Sequence, residues 1–182
     1  MSILHFVTTN TYKFEQFKKI VENTMDVEHL SLTTPEIQTE FCTDVAAYSA
    51  RWAANITGKV VIKEDVGLHI NYLSGFPGPF LSTVEKQIKD TGFIKLMQGV
   101  DDRSAHWEYA ISYCEPDKEP VTFSVNHPGS IANTPKGKSG WYADKIFIPD
   151  GQDRTIAELL DANEYVRKNE HYEQLLTYLK KR

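Results

Sequence analysis

The stretch ILHFVTTNTYKFEQFKKIV, residues 3–21, decides the fold class. Residues 3–7 form a short apolar run, which predicts a buried strand. Thr8, Thr9 and Asn10 then offer side chains that can cap a helix. Phe14, Phe17 and Val21 follow at the spacing of one helical face. A strand feeding straight into a capped amphipathic helix is an α/β unit.

Working outward, strand and helix patterns stay interleaved. Residues 27–32 predict a second, weaker strand. Thr43 and Asp44 are placed to cap a helix with Val45, Tyr48 and Trp52 on its inner face, ended by Gly58. Residues 60–62 predict a buried strand that stops at Lys63-Glu64-Asp65, with residues 68–73 as its hairpin partner. The cluster SGFPGP at 74–79 predicts a rigid turn. Helical periodicity returns at 80–88 and 93–97, and two longer strands are predicted at 105–114 and 121–125. Residues 145–148 suggest one more strand, Thr155-Ile156-Ala157-Glu158 fits a capping box, and residues 163–181 predict a tail helix with Tyr172, Leu175, Leu176 and Leu179 inward. The expectation is one domain over residues 1–182, α/β in class, with a mixed twisted sheet and flanking helices.

Composition narrows the function. The chain has 182 residues, 41% hydrophobic and 12% aromatic, and a formal net charge of −5. That supplies a full core and excludes general disorder. Mild acidity argues against a partner such as a nucleic-acid polymer, which needs a basic surface. Two distant cysteines, Cys42 and Cys114, exclude a disulfide scaffold. No stretch approaches a membrane span, and the opening residues do not read as a signal peptide, so the expectation is a cytoplasmic protein with no membrane partner. The six histidines are scattered without zinc-ligand spacing and read as structural or exposed.

Three clusters carry possible chemistry. TTNTYK at 8–13 places amide N–H groups, a helix dipole and Lys13 at a strand–helix junction, a geometry suited to phosphate; simple capping explains the same residues. Glu64 and Asp65 end an apolar run, where acids must be hydrated, paired or bound to a cation. Hard oxygen donors of this type suit Mg²⁺, with Glu36 and Glu40 on the loop upstream able to join them. GWYADKIFIPDG at 140–151 sets aromatics beside an acid, suited to stacking a planar ring and accepting its hydrogen bonds; a core role for Trp141 and Phe147 is the other reading. Gly137-Lys138-Ser139 does not complete a P-loop, because Ala132 stands where its first glycine belongs.

Together and in this order, these clusters resemble the inosine triphosphate pyrophosphatase family, also called Ham1. FVTTNTYKF resembles its opening T-x-N-x-x-K segment. PEIQTE at 35–40 resembles its acidic loop, and VVIKEDVGLHINYLSGFPGPF at 60–80 resembles its acidic pair and glycine–proline turn. DDRSA at 101–105, GSIANTPKG at 129–137 and IFIPDG at 146–151 follow in family order.

The resemblance implies a two-lobed α/β fold around a central cleft, usually homodimeric. It implies Mg²⁺-dependent hydrolysis of a nucleoside triphosphate, of the deaminated-purine type, between its α- and β-phosphates. Thr8, Asn10 and Lys13 would hold the triphosphate. Glu36, Glu64 and Asp65 would bind metal and position water, with Asp65 as general base and Glu64 and Lys13 also catalytic. Gly75 and Phe80 would shape the pocket, and Trp141 and Asp144 would meet the base. The chain departs from the family at Ser49 and Tyr165, where lysines are expected. It departs also at Tyr142-Ala143-Asp144-Lys145, which keeps only the aspartate of the base-reading motif, and at Asn169-Glu170-His171, where Ser-His-Arg is expected. Lys145, Arg167 and Lys168 are the cations placed to substitute. A catalytically silent nucleotide-binding relative, or a pyrophosphatase for a different modified nucleotide, fits the same departures.

Overall fold

A computed structural model describes residues 3–181. The first strand, β1 (Leu4–Val7), leads into helix α1 (Thr11–Val21). Asn10 starts that helix by accepting hydrogen bonds from the Tyr12 and Lys13 amides. Phe14, Phe17 and Val21 are buried, as their spacing predicts. Strand β2 (Val27–Leu30) and helix α2 (Cys42–Thr57) follow.

The buried face of α2 differs from the expectation. It consists of Cys42, Val45, Ala46, Ser49, Ala50, Ala53 and Ala54, whereas Tyr48 is exposed and Trp52 only partly buried. Small side chains let the helix lie close against Val7 and Val61. Its N-cap is Phe41, which gives no side-chain cap, so Thr43 and Asp44 fall inside the first turn. Gly58 ends α2 in the left-handed region at φ 66°, its amide bonding Ala54 O.

Strand β3 (Val61–Ile70) corrects a second expectation. It runs unbroken through Lys63-Glu64-Asp65, and the partner of its far end is β4 (Pro77–Gly78), antiparallel, with Leu68 opposite Gly78. The acids therefore sit within a strand, and their charges are met from other elements. Helix α3 (Leu81–Leu96) joins the two predicted helical stretches across a kink at Lys89. Strands β5 (Ser104–Cys114) and β6 (Val121–Ile131) are followed by a 3-10 turn at Ala143–Lys145, strand β7 (Phe147–Pro149) and helix α4 (Ile156–Asp161). The Thr155–Glu158 capping box is present. The tail helix α5 is shorter than expected, at Glu170–Leu179.

The strands form one mixed sheet in the order β2-β1-β3-β5-β6-β7, with β4 attached to β3. β1 pairs in parallel with both β2 and β3, and β6 with β7 antiparallel. The chain divides into two compact units. The first holds the described residues up to Asp65, Tyr109–Val125 and those from Asn169 on; the second holds Val66–Glu108 and Asn126–Lys168. The main core of the first unit gathers Phe6, Phe14, Phe17, Ile62, Ile111, Tyr172 and Leu175. In the second unit Trp107 and Phe147 meet edge to face, with ring centroids 5.9 Å apart. Among the described residues no helix is long and apolar enough to cross a membrane.

Candidate functional site

In the first unit, packing of the tail helix assembles a charge cluster. Phe17 of α1 meets Tyr172 of α5 with ring centroids 5.0 Å apart, which locks the two helices together. That contact places the neighbouring His171 against β3. Its Nε2 lies 3.2 Å from Glu64 Oε1, and both side chains are buried. Because an ionised carboxylate only accepts, Nε2–H is the donor. From α1, the Lys13 ammonium lies 3.4 Å from the other oxygen, Glu64 Oε2.

The two acids are driven in opposite directions. Burial alone would raise Glu64, but Lys13 and His171 outweigh it and pull the carboxyl down to about 2. Asp65 has weaker support. Burial pushes its carboxyl up to about 6, against the partial offset of Lys13, the Cys42 thiol and Lys63, while the charge of Glu36 adds to the rise. Lys63 is lowered, first by burial and then by repulsion from Lys13. Tyr172, buried beside Glu64, is raised well above the usual phenol value, first by burial. Glu64 Oε2 is buried and meets the Lys13 ammonium, whereas Asp65 Oδ2 is buried without a hydrogen-bond partner. Such oxygens are costly unless a cation or substrate proton completes them.

Thr8 and Asn10 have prior duties. Thr8 Oγ1 accepts from the Asn10 amide, and Asn10 Oδ1 accepts from the Tyr12 and Lys13 amides. These amides are satisfied locally, so the cation that α1 contributes is the Lys13 side chain. Glu36 is exposed, and its charge acts on both Lys63 and Asp65. Ser49 is buried and donates to Pro35 O at 3.0 Å, tying the loop before α2 to the helix.

The second unit holds Gly75, Phe80, Trp141 and Asp144. Gly75 adopts φ 90° and bonds Ile70 O through its amide. Phe80 caps α3 and is largely exposed. Asp144 is fully buried: its Oδ2 accepts from the Trp141 amide at 2.8 Å and from Arg167 at 2.6 Å. Gly140 lies directly against this carboxylate at φ 80°, and a Cβ there would collide with Oδ2. The Arg167 guanidinium also lies over the Trp141 ring, 4.4 Å from its centroid. Asp144 Oδ1 is buried and has no hydrogen-bond partner. Glu85 on α3 accepts from the Ala143 amide and is held above its ordinary range, chiefly by burial. Lys145 lies over the Tyr142 ring at 5.7 Å.

The predicted residues thus fall into two groups. Thr8, Asn10, Lys13, Glu36, Glu64 and Asp65 belong to the first unit, and Gly75, Phe80, Trp141 and Asp144 to the second. His171, Lys63 and Glu85 escaped the sequence reading.

Acids on strand β3, a lysine on α1 and a histidine on α5 thus form one charged cluster in an α/β fold, and comparison with known proteins gives the family. The sequence profile of the Ham1 family matches residues 4–174. The chain is 42% identical over 155 residues to a dITP/XTP pyrophosphatase of Methanopyrus kandleri, covering 85% of this chain and 82% of that one. It is 39% identical over 157 residues to a dITP/XTP pyrophosphatase of Thermococcus kodakarensis, covering 86% and 84%. A solved Ham1 protein from Coxiella burnetii superposes with a TM-score of 0.84 at 27% identity, over 100% of both chains. The chain belongs to the Ham1 family.

Proposed function

We propose that this protein is a nucleoside triphosphate pyrophosphatase acting on deaminated purine nucleotides of the ITP, dITP and XTP type, and that it releases the monophosphate and pyrophosphate. The names of its relatives support the substrate class. The observation that carries the reading is the pair of buried carboxylate oxygens on adjacent residues, Glu64 Oε2 ion-paired with the Lys13 ammonium and Asp65 Oδ2 without a hydrogen-bond partner.

The donor set fits a hard divalent cation. Glu36, Glu64 and Asp65 offer carboxylate oxygens, of which Asp65 Oδ2 is buried without a hydrogen-bond partner, and Mg²⁺ prefers such donors together with phosphate oxygens. Bound there, the ion supplies neutralisation of phosphate charge and acidification of water. The chain's own residues do the rest. Lys13 offsets polyphosphate charge. His171 fixes Glu64 in its ionised form, ready to act as an electrostatic anchor. Asp65 takes the proton from the attacking water as the water oxygen bonds to the α-phosphorus. The α–β bridging bond breaks and pyrophosphate departs with the electron pair. Trp141 stacks on the base and Asp144 accepts its ring N–H. Assembly as a homodimer and a cytoplasmic location accompany this reading by family resemblance.

The test is a substrate panel of ITP, XTP, GTP and ATP with Mg²⁺, read by separate detection of pyrophosphate and orthophosphate. Pyrophosphate from ITP and XTP is the expected product. Orthophosphate as the first product, or no turnover of any nucleotide, overturns the reading.

A further inference from the structure

We infer that Lys63 is a second polyphosphate-binding residue of this chain: its ammonium meets the substrate's phosphates from one face of β3, while Lys13 stands with Glu64 on the other. The inference rests on the pyrophosphatase reading and goes beyond it by adding a cation that the mechanism above does not use.

Side chains alternate along a strand, so Lys63 and Asp65 share one face of β3 and Glu64 takes the other. The neighbours identify the faces. Val61, two residues before Lys63, packs with Ala50, Ala53 and Ala54 of α2. Ile62, two residues before Glu64, packs with Phe17 of α1 and Tyr172 of α5. Lys63 therefore projects on the α2 side, where Asp65 meets the Cys42 thiol. The charges of Lys13, Glu36, Glu64 and Asp65 all act on its ammonium, which places it inside the charged cluster.

Yet Lys63 holds nothing together. Among the described residues the ion pairs of this cluster join Lys13 to Glu64 and His171 to Glu64, and Lys63 enters neither. Burial and the like charge of Lys13 oppose its ammonium, with only partial relief from the three acids. Functional sites keep a destabilising group of this kind where the activity needs it. A multivalent anion relieves the strain, because it screens the two ammonium groups from each other and offers acceptors to both. Acids engaged by a divalent ion no longer balance the lysines, and both ammonium groups are then left to the phosphates.

The experiment compares wild type, Lys63→Gln and Lys63→Arg in two measurements, with melting temperature recorded for each. The first is inhibition of ITP turnover by inorganic tripolyphosphate, which carries the phosphates without a base. Its inhibition constant is expected to rise at least about tenfold in Lys63→Gln, and Lys63→Arg, which keeps the charge and can donate to phosphate, is expected to retain most of the affinity. The second is calorimetric binding of Mg²⁺ alone to the protein without nucleotide. Removing a cation from beside the acids is expected to tighten it roughly threefold in Lys63→Gln. Opposite shifts of the two ligands are the signature of an anion-binding cation. A purely structural residue weakens both or neither, and any combination other than opposite shifts overturns the inference. Since Lys63 gives up no ion pair, Lys63→Gln should melt no lower than wild type; a variant that does not fold makes the residue structural and overturns the inference too. An active wild type with these failures in the variant leaves the pyrophosphatase reading intact. A wild type that releases no pyrophosphate from any nucleotide defeats both.

Discussion

The two charged clusters solve the problem of buried carboxylates differently. Around β3, Glu64 and Asp65 lie among Lys13, Lys63 and His171, yet Asp65 Oδ2 remains without a hydrogen bond. Around the 3-10 turn at Ala143–Lys145, a single buried carboxylate, Asp144, is held by one arginine and one backbone amide. The first arrangement suits multivalent charge, because several acids and cations are kept close at the expense of their mutual satisfaction. The second suits recognition of one edge and one face of a ring. The contrast separates chemistry from selection: changes at β3 should act on turnover, and changes at the aromatic turn should act on KM and on preference.

Asp65→Asn gives the largest expected effect. It leaves an isosteric side chain but no base, and general bases contribute on the order of 10²–10⁴ in rate. A fall in kcat of that size, with circular dichroism and melting unchanged, is expected. Turnover within a few-fold of wild type would move the base to another residue and blur the contrast.

His171→Ala comes next. It removes the donor to Glu64 Oε1, and losing a group that orients a functional carboxylate costs roughly 10–100-fold in activity. A buried acceptor left unmatched also costs about 1–3 kcal/mol of stability. Both losses should appear together in kinetics and denaturant melts, and a loss of stability alone would make His171 a purely structural residue. Trp141→Ala tests the other side. Base–aromatic stacking contributes about 1–3 kcal/mol per base, so KM for ITP should rise roughly tenfold, with kcat moving far less. A fall confined to kcat would show that the aromatic turn takes part in chemistry and dissolve the distinction.

How much of this was visible in the residues depended on whether the cause was local. Helix α1 was legible because Asn10 and the Phe14–Phe17–Val21 spacing act within a few residues of one another. The Gly58 terminus and the Thr155–Glu158 capping box were legible for the same reason. The course of β3 through Lys63-Glu64-Asp65 was not, because the groups that stabilise its acids arrive from Lys13 and His171, distant in sequence. On α2, large Tyr48 and Trp52 suggested the inner face, whereas the close approach of Val7 and Val61 selects the alanines. The acids, Lys13, Trp141 and Asp144 could be named from their order along the chain. The pairing of Arg167 with both Trp141 and Asp144 needed coordinates, since nothing in a linear pattern says which face of a ring an arginine covers.

The smallest expected effect lies at Glu85, beside the aromatic turn. Burial, with the charge of Asp144 adding to it and the Ala143 amide partly opposing it, holds this carboxyl above its ordinary range. The folded protein therefore binds the proton more tightly than the unfolded chain does. The stability this provides is fully present below the unfolded carboxyl value, about 4.3, and is lost as pH rises through the raised folded value. Glu85→Gln keeps an oxygen for the Ala143 amide and carries no charge at any pH, so it reproduces the protonated form throughout. Its melting temperature should match wild type near about pH 4 and exceed it at neutral pH. Because the side chain is only partly buried and solvent screens it, the gain should be roughly 0.5 kcal/mol or less. A gap of the same size at both pH values would mean that the glutamate's charge is already balanced, and that the aromatic turn carries no excess of negative charge to set against the acids of β3.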